Sequence, residues 1–338
     1  LFTFWANIAG RTAFKDVREL PAAHYMVAHR GKISIKRYWD LEFSPIHESE
    51  DECAQKLLYL LKDSIRLRLR ADVPVASYLS GGIDSSLISS LVKKFYNSDL
   101  RTFSVSFSDL HFDESVFQRQ MADSMRTRHA QVSCSYADIG RIMPEVVWHA
   151  EKPLIRTAPA PLFLLAKLVR ENNIKVVLTG EGADEILGGY DLFREAKIRR
   201  FWARFPDSRL RPLLIRELYS YIPNWPRKTS AFLEGFYRKN LNPVDSLHYS
   251  HAPRWDTAAK VKSLFSRELI EGFNGYDPVA EFDQGLPRNF RSWESLPQAQ
   301  YIEMQTLLSG NLLSSQGDRM MMANSVEGRF PFLDYRLV

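Results

Sequence analysis

The chain has 338 residues, 45% of them apolar and 25% charged, with 16 Gly and 17 Pro. This is ordinary globular composition, which excludes collagen-like and low-complexity chains, while 7 Trp, 14 Tyr and 21 Phe can fill a large core. The formal charge of +5, from 45 basic and 40 acidic residues, argues only weakly for a polyanion partner.

At ~150 residues per domain the length suggests about two domains. Two cysteines, Cys53 and Cys134, exclude a disulfide scaffold and a four-cysteine zinc site, and they fit a reducing compartment. The longest apolar stretch, Pro161 to Val169, contains Lys167 and falls far short of the ~18 residues of a membrane span. The chain starts at Leu1, in strand-like sequence, and stops at Val338 directly after a motif. It reads as an internal fragment of a longer protein.

In chain order, residues 1–45 read as β-rich, with a hairpin whose tip is "HRGK" around Arg30-Gly31. Acidic "HESEDE" (47–52) reads as a boundary. Leu57, Leu58, Leu61, Ile65 and Leu69 recur at helical spacing and predict a helix over 54–69. Strands are predicted at 73–79, 101–107, 129–134 and 175–180, and helices at 86–96, 114–125 and 160–172. Strands alternating with helices imply right-handed crossovers and a doubly wound parallel sheet, hence an α/β fold. After Tyr190 the strand signal fades and the remainder reads as helical, with Pro- and Gly-containing loops at 285–297.

Two loops carry chemistry. The first predicted strand ends in Leu79-Ser80-Gly81-Gly82-Ile83-Asp84-Ser85-Ser86. Two glycines let the backbone turn tightly, and successive N–H groups at a helix N-terminus favour phosphate, with Ser85 and Ser86 available as caps. No Gly-Lys-Ser/Thr ending follows, so this is not a Walker A loop. An Asp in such a cradle would repel phosphate unless a cation bridges them, so Asp84 implies Mg²⁺ with a di- or triphosphate.

The last predicted strand runs into Thr179-Gly180-Glu181-Gly182-Ala183-Asp184-Glu185. Ligands of open α/β sheets sit outside the carboxyl ends of the strands. If strands 73–79 and 175–178 lie side by side, Asp84 and Asp184 can share one Mg²⁺, and Glu181 can act as a base. The competing expectation is a helix N-terminus with acidic first-turn residues.

"SGGIDS" resembles the pyrophosphate (PP) loop of the ATP pyrophosphatases. Together with "TGEGADEILGGY" and "DRMMMANSVEGRFPFLD" (318–334) it closely resembles the synthetase domain of glutamine-dependent asparagine synthetases. Residues 1–27 and "RYWDLEF" (37–43) look like the end of that family's class II glutamine amidotransferase (glutaminase) domain. The resemblance implies residues 1–45 as the tail of that domain and 46–338 as an ATP-pyrophosphatase domain with a helical C-terminal part, truncated at its end.

It further implies that aspartate and MgATP form β-aspartyl-AMP, and that ammonia from glutamine displaces AMP to give asparagine. By position, Ser80, Gly81, Gly82, Asp84, Ser85 and Ser86 would hold pyrophosphate. Leu79, Val105, Thr179 and Gly180 would contact ATP, Asp84 and Asp184 would bind Mg²⁺, and Glu181 would serve catalysis. Val105 suits a core role equally. Asp113 and Glu114 suit a helix start better than catalysis. Arg319 and Arg329 suit either substrate contact or structural pairing, and Arg156 is a candidate for carboxylate binding.

The implied setting is cytoplasmic, without nucleic acid or membrane, and a homodimer is left open. The family's N-terminal cysteine nucleophile has no counterpart in the context of Cys53 or Cys134, and its lysine beyond "FPFLD" would lie past Val338. By this reading the fragment alone would not hydrolyse glutamine. A specialised amidotransferase or a β-lactam or peptide cyclase on the same scaffold, acting on another carboxylate, is the alternative. A nucleic-acid role would rest on Arg194, Lys197, Arg199, Arg200, Arg204, Arg209 and Arg211, a stretch that reads more simply as a solvated helix face.

Overall fold

The computed structural model describes residues 1–8, 10–219 and 230–338. By its contacts the chain forms two compact units, Leu1–Phe43 with Leu187–Leu307, and Ser44–Ile186 with Leu308–Val338. The first begins with the expected hairpin, β1 (His24–His29) antiparallel to β2 (Lys32–Arg37), with His24 opposite Arg37. Its tip, Arg30-Gly31, takes φ +46° and +74°, the left-handed pair that a two-residue hairpin turn requires.

The second unit opens with α1 (Glu50–Arg68). The acidic run expected to mark a boundary follows the division between the units at Phe43 and Ser44 by a few residues and ends in the first turn of this helix. Ser49 Oγ accepts from Glu52 N–H, and the Glu52 carboxylate accepts from Ser49 N–H, so Glu50, Asp51 and Glu52 sit where the helix dipole favours them.

There follow β3 (Val75–Tyr78), α2 (Ile83–Phe95), β4 (Arg101–Phe107), α3 (Ser115–Met125), β5 (Arg128–Cys134), α4 (Tyr136–Ala150), α5 (Pro159–Glu171), β6 (Val176–Leu178) and α6 (Ala183–Leu187). The first unit continues with α7 (Asp191–Ala203), α8 (Ser230–Arg238), α9 (Ala252–Ala259), α10 (Arg267–Gly272), α11 (Pro278–Gln284) and α12 (Ser295–Glu303). A π-helical stretch, Met304–Asp318, leads to α13 (Arg319–Ala323) and β7 (Glu327–Arg329).

The second unit's sheet is parallel throughout, in the order β5-β4-β3-β6-β7. β3 and β6, about a hundred positions apart in sequence, are neighbours, with Val75, Ala76 and Ser77 opposite Val176, Val177 and Leu178. One face is apolar: Ala76, Phe103 and Val177 pack on Leu165, Ala166 and Val169 of α5 and on Met321 and Val326. The other mixes Ile88, Leu91 and Val92 of α2 with buried polar side chains, Ser77 on Ser89 at 2.8 Å and Thr102 on Thr127 at 2.8 Å.

Two elements were not expected from sequence. α4 is set by a capping box in which Ser135 and Asp138 bond each other's backbone N–H. β7 is three residues, Glu-Gly-Arg, with no apolar period of its own; pairing with β6 makes it a strand.

The first unit's helical part has its own core of Trp202, Ile215, Leu218, Leu233, Tyr237 and Leu241. Its fully buried Glu303 is held by His251 Nε2 and Arg254 Nη1, each at 2.8 Å.

Candidate active site

Chain order along the sheet reverses at β3: β4 and β5 extend to one side, β6 and β7 to the other. The crevice beyond the carboxyl ends of β3 and β6 is therefore the switch point at which open α/β sheets bind ligands. Both glycine-rich loops stand there.

The loop after β3 is braced from below. Buried Leu79 donates its N–H to Phe103 O at 2.9 Å, and its own carbonyl accepts from Ser104 Oγ. Gly81 sits at φ +85°, and a Cβ there would lie 2.9 Å from Phe117 Cβ and 3.0 Å from Gln118 N, so only glycine fits. Ser85 does not cap α2 as expected. Its Oγ turns back to Ser80 Oγ at 2.8 Å and accepts from Ser80 N–H at 3.1 Å, while Gly82 takes the cap position with no side-chain cap. Ser86 Oγ is buried with no hydrogen-bond partner. The first turn of α2, begun three residues earlier than expected, is thus left without a side-chain cap at an anion-favouring helix end.

The loop after β6 is braced by the third motif. Thr179 N–H donates to Arg329 O of β7 at 3.0 Å. Gly182, at φ +94°, has no room for a Cβ, which would meet Leu333 Cδ2 at 2.4 Å. Phe332 is buried with Leu178 and Ala183, and Pro331 O accepts from Ser64 Oγ at 2.7 Å. "FPFLD" is therefore a floor for the acidic loop.

The two loops touch. A Cβ on Gly180 would lie 3.1 Å from Ser85 N and 3.2 Å from Asp84 Cβ. Asp84, Asp184 and Glu181 consequently act on one another. Burial, then Asp184, then Asp84 push the Glu181 carboxyl up to about 7. Burial and Asp184 raise Asp84, and burial raises Asp184.

This repulsion suits a cation. Among the described residues no group of three or more His, Cys, Asp or Glu is arranged to hold a metal. A bound ion would take one or two carboxylates from the chain and its remaining ligands from phosphate and water, which is the habit of Mg²⁺.

The other sequence candidates are placed as follows. Arg329 Nη1 donates to Arg68 O at 2.6 Å and Arg70 O at 2.8 Å, closing the C-terminal end of α1. Arg319 Nη1 pairs with Glu151 Oε2 at 2.5 Å. Arg156 is exposed. Asp113 accepts from Phe107 N–H at 3.1 Å and from Ser115 Oγ at 2.6 Å, which fixes the β4–α3 connection and lowers its pKa. Val105 lies near the end of β4 with its carbonyl accepting from Gln118 Nε2.

The basic stretch divides: Arg194, Lys197, Arg204 and Arg209 are exposed, as a solvated face would be, while three others pack. Buried Arg199 lies 4.1 Å over Tyr249 and donates to Tyr249 O, Arg200 donates to Val244 O, and Arg211 lies 4.1 Å over both Phe201 and Phe205. Among the described residues no helix is long and apolar enough to cross a membrane.

Comparison with known proteins adds the family. The asparagine synthase family model matches residues 56–338. Asparagine synthetase [glutamine-hydrolyzing] 1 of Bacillus subtilis is 31% identical over 314 residues, 93% of this chain and 47% of that protein. Amidase chyE of Penicillium rubens is 30% identical over 355 residues, 98% of this chain and 52% of that protein. A putative asparagine synthetase of Mycobacterium tuberculosis is 30% identical over 333 residues, 96% and 48%. The chain spans about half the length of these curated relatives.

Proposed function

The chain belongs to the asparagine synthase family, and on that premise we propose that it activates a carboxylate with ATP and passes the acyl group to ammonia, with aspartate as the acceptor and asparagine as the product. The observation that carries this reading is the contact between the two loops, which gathers Asp84, Asp184 and Glu181 beside the uncapped start of α2.

In the proposed reaction the aspartate side-chain carboxylate attacks the α-phosphorus of ATP. The bond between the α- and β-phosphates breaks, and pyrophosphate leaves. Ammonia, drawn from glutamine in the whole protein, attacks the acyl carbon, and AMP departs with its bonding electrons. A free carboxylate resists ammonia because it has no good leaving group; the adenylate supplies one.

Residues Ser80 to Ser86 hold the pyrophosphate through backbone N–H groups, while Leu79, Val105, Thr179 and Gly180 border the rest of the nucleotide. Asp84 and Asp184 hold Mg²⁺, which when bound neutralises the phosphate charge. Glu181, desolvated beside both aspartates, takes a proton from the attacking ammonia. Residues 1–45 as a glutaminase tail, 46–338 as the synthetase part, and a cytoplasmic setting belong to the same proposal.

Similarity to an amidase supports a second reading: the same adenylation on a different carboxylate. The test uses MgATP, ammonium chloride and aspartate. Aspartate-dependent release of pyrophosphate, with asparagine formed in equal amount, is expected. Pyrophosphate released only with another carboxylate would give the second reading the better claim, and none released with any carboxylate would end both.

A further inference from the structure

β3 stops one strand-length short of its neighbour. Its last paired residue, Tyr78, lies opposite Phe103, and Leu79 N–H bonds Phe103 O at 2.9 Å before the chain turns into the glycine loop. β4 runs on to Phe107. Carbonyls two residues apart on a strand point to the same side, so Val105 O faces the gap that β3 has vacated. A half-buried carbonyl there, with no strand partner, calls for a donor.

Gln118 of α3 supplies it, donating from Nε2 at 3.0 Å. The other end of the same amide, Oε1, accepts from Gln131 Nε2 of β5 at 3.1 Å. Gln118 is 3% exposed, and both ends of its amide are satisfied. Its backbone N is also one of the atoms that crowd Gly81, 3.0 Å from the place of a Cβ. One residue therefore bridges Val105 of β4 and Gln131 of β5 with its side chain and presses the glycine loop with its main chain.

We infer that Gln118 is a positioning residue for nucleotide binding: by tying α3 to the open end of β4 it holds α3 against Gly81, and so fixes the shape in which loop 80–82 presents its N–H groups. The inference rests on the proposed ATP site and adds a residue that touches neither substrate nor reacting atoms. A leucine or methionine at 118 fills similar volume but leaves Val105 O without its donor. α3 then loses its anchor, and the loop samples shapes that bind phosphate less well. The cost falls on binding ATP; once ATP is bound, the loop is in its working shape and chemistry proceeds.

The experiment measures MgATP binding directly by calorimetry, and the ATP and acceptor KM with kcat in the ammonia-dependent reaction, for wild type, Gln118→Met and Gln131→Leu. Expected for Gln118→Met is about a tenfold weaker MgATP Kd and a matching rise in ATP KM, with kcat at saturating ATP and acceptor KM held within about twofold. Gln131→Leu, which removes only the support behind Gln118, should give a smaller change of the same kind and serves if Gln118→Met does not fold. A merely structural amide would lower the amount of active protein and leave ATP KM unchanged; that result in a folded variant overturns the inference. Wild type that binds no MgATP overturns the nucleotide site itself, and the inference with it.

Discussion

The loop after β3 and the loop after β6 share a composition of glycine with acid, yet they are built for opposite tasks. The first turns its serines onto itself: Ser80 and Ser85 bond each other, and Gly81 yields to α3, so main-chain N–H groups are what it offers, beside the single carboxylate of Asp84. The second is held from beneath by Leu333 and Arg329 O, and what it offers is charge, Glu181 and Asp184. A polyanion carrying a cation satisfies both at once, and the pair is better understood as one divided site than as two.

The largest effect should come from removing the charge while leaving the cradle. Asp84→Asn or Asp184→Asn is expected to lower kcat/KM for MgATP by about 10²–10³-fold, the scale of losing one preorganised electrostatic contact. Ser85→Ala, in the loop that works through its main chain, should cost far less. Equal losses at Asp184 and Ser85 would erase the distinction between the loops.

Next is the proton on Glu181. Burial, with Asp184 and Asp84, lifts its carboxyl from the ordinary 4.5 to about 7. Between those values the folded chain keeps a proton that the unfolded chain has released, so stability falls as pH rises through that window, by about 3 kcal/mol in all. Urea unfolding of the ligand-free protein from pH 4 to 8 should show this decline, and Glu181→Gln should flatten most of it while abolishing synthesis. The apparent midpoint belongs to the three coupled carboxylates together. An unchanged slope in the variant would place the titration elsewhere.

The floor of the second loop is tested by Gly182→Ala. At φ +94° with Leu333 in the way, the substitution should destabilise by about 1–3 kcal/mol. In a Leu333→Ala background only the backbone part should remain. Full additivity in that cycle would mean the two residues do not meet. The smallest effect is expected at Arg319→Ala, whose pair with the half-exposed Glu151 is worth about 0–1 kcal/mol by thermal unfolding, with ATP KM unchanged. A large rise in the acceptor KM would return Arg319 to the substrate site.

Much of this was legible because it is local. Glycine at 81 and 182, the acids beside them, and apolar runs of strand length bounded by helical periods all declare themselves within a few residues. Arg329 and Arg319 did not, since an arginine's destination depends on which carbonyl or carboxylate the fold brings within reach. β7 escaped notice for the same reason: three residues without an apolar period become a strand only beside β6. The acidic run at 47–52 reads as a boundary, and that its last residues also start a helix shows only once Ser49 and Glu52 are seen to cap each other.

The sequence by itself determined the alternating α/β pattern, the hairpin turn and the chemistry that each loop carries, because backbone conformation and charge are properties of neighbouring residues. Only the tertiary structure decided that β3 lies beside β6, that Leu333 supports one loop and Gln118 the other, and that Arg199, Arg200 and Arg211 are spent on carbonyls and aromatic rings. Those outcomes depend on distances between residues far apart in the chain, and such distances are set by how the sheet orders its strands.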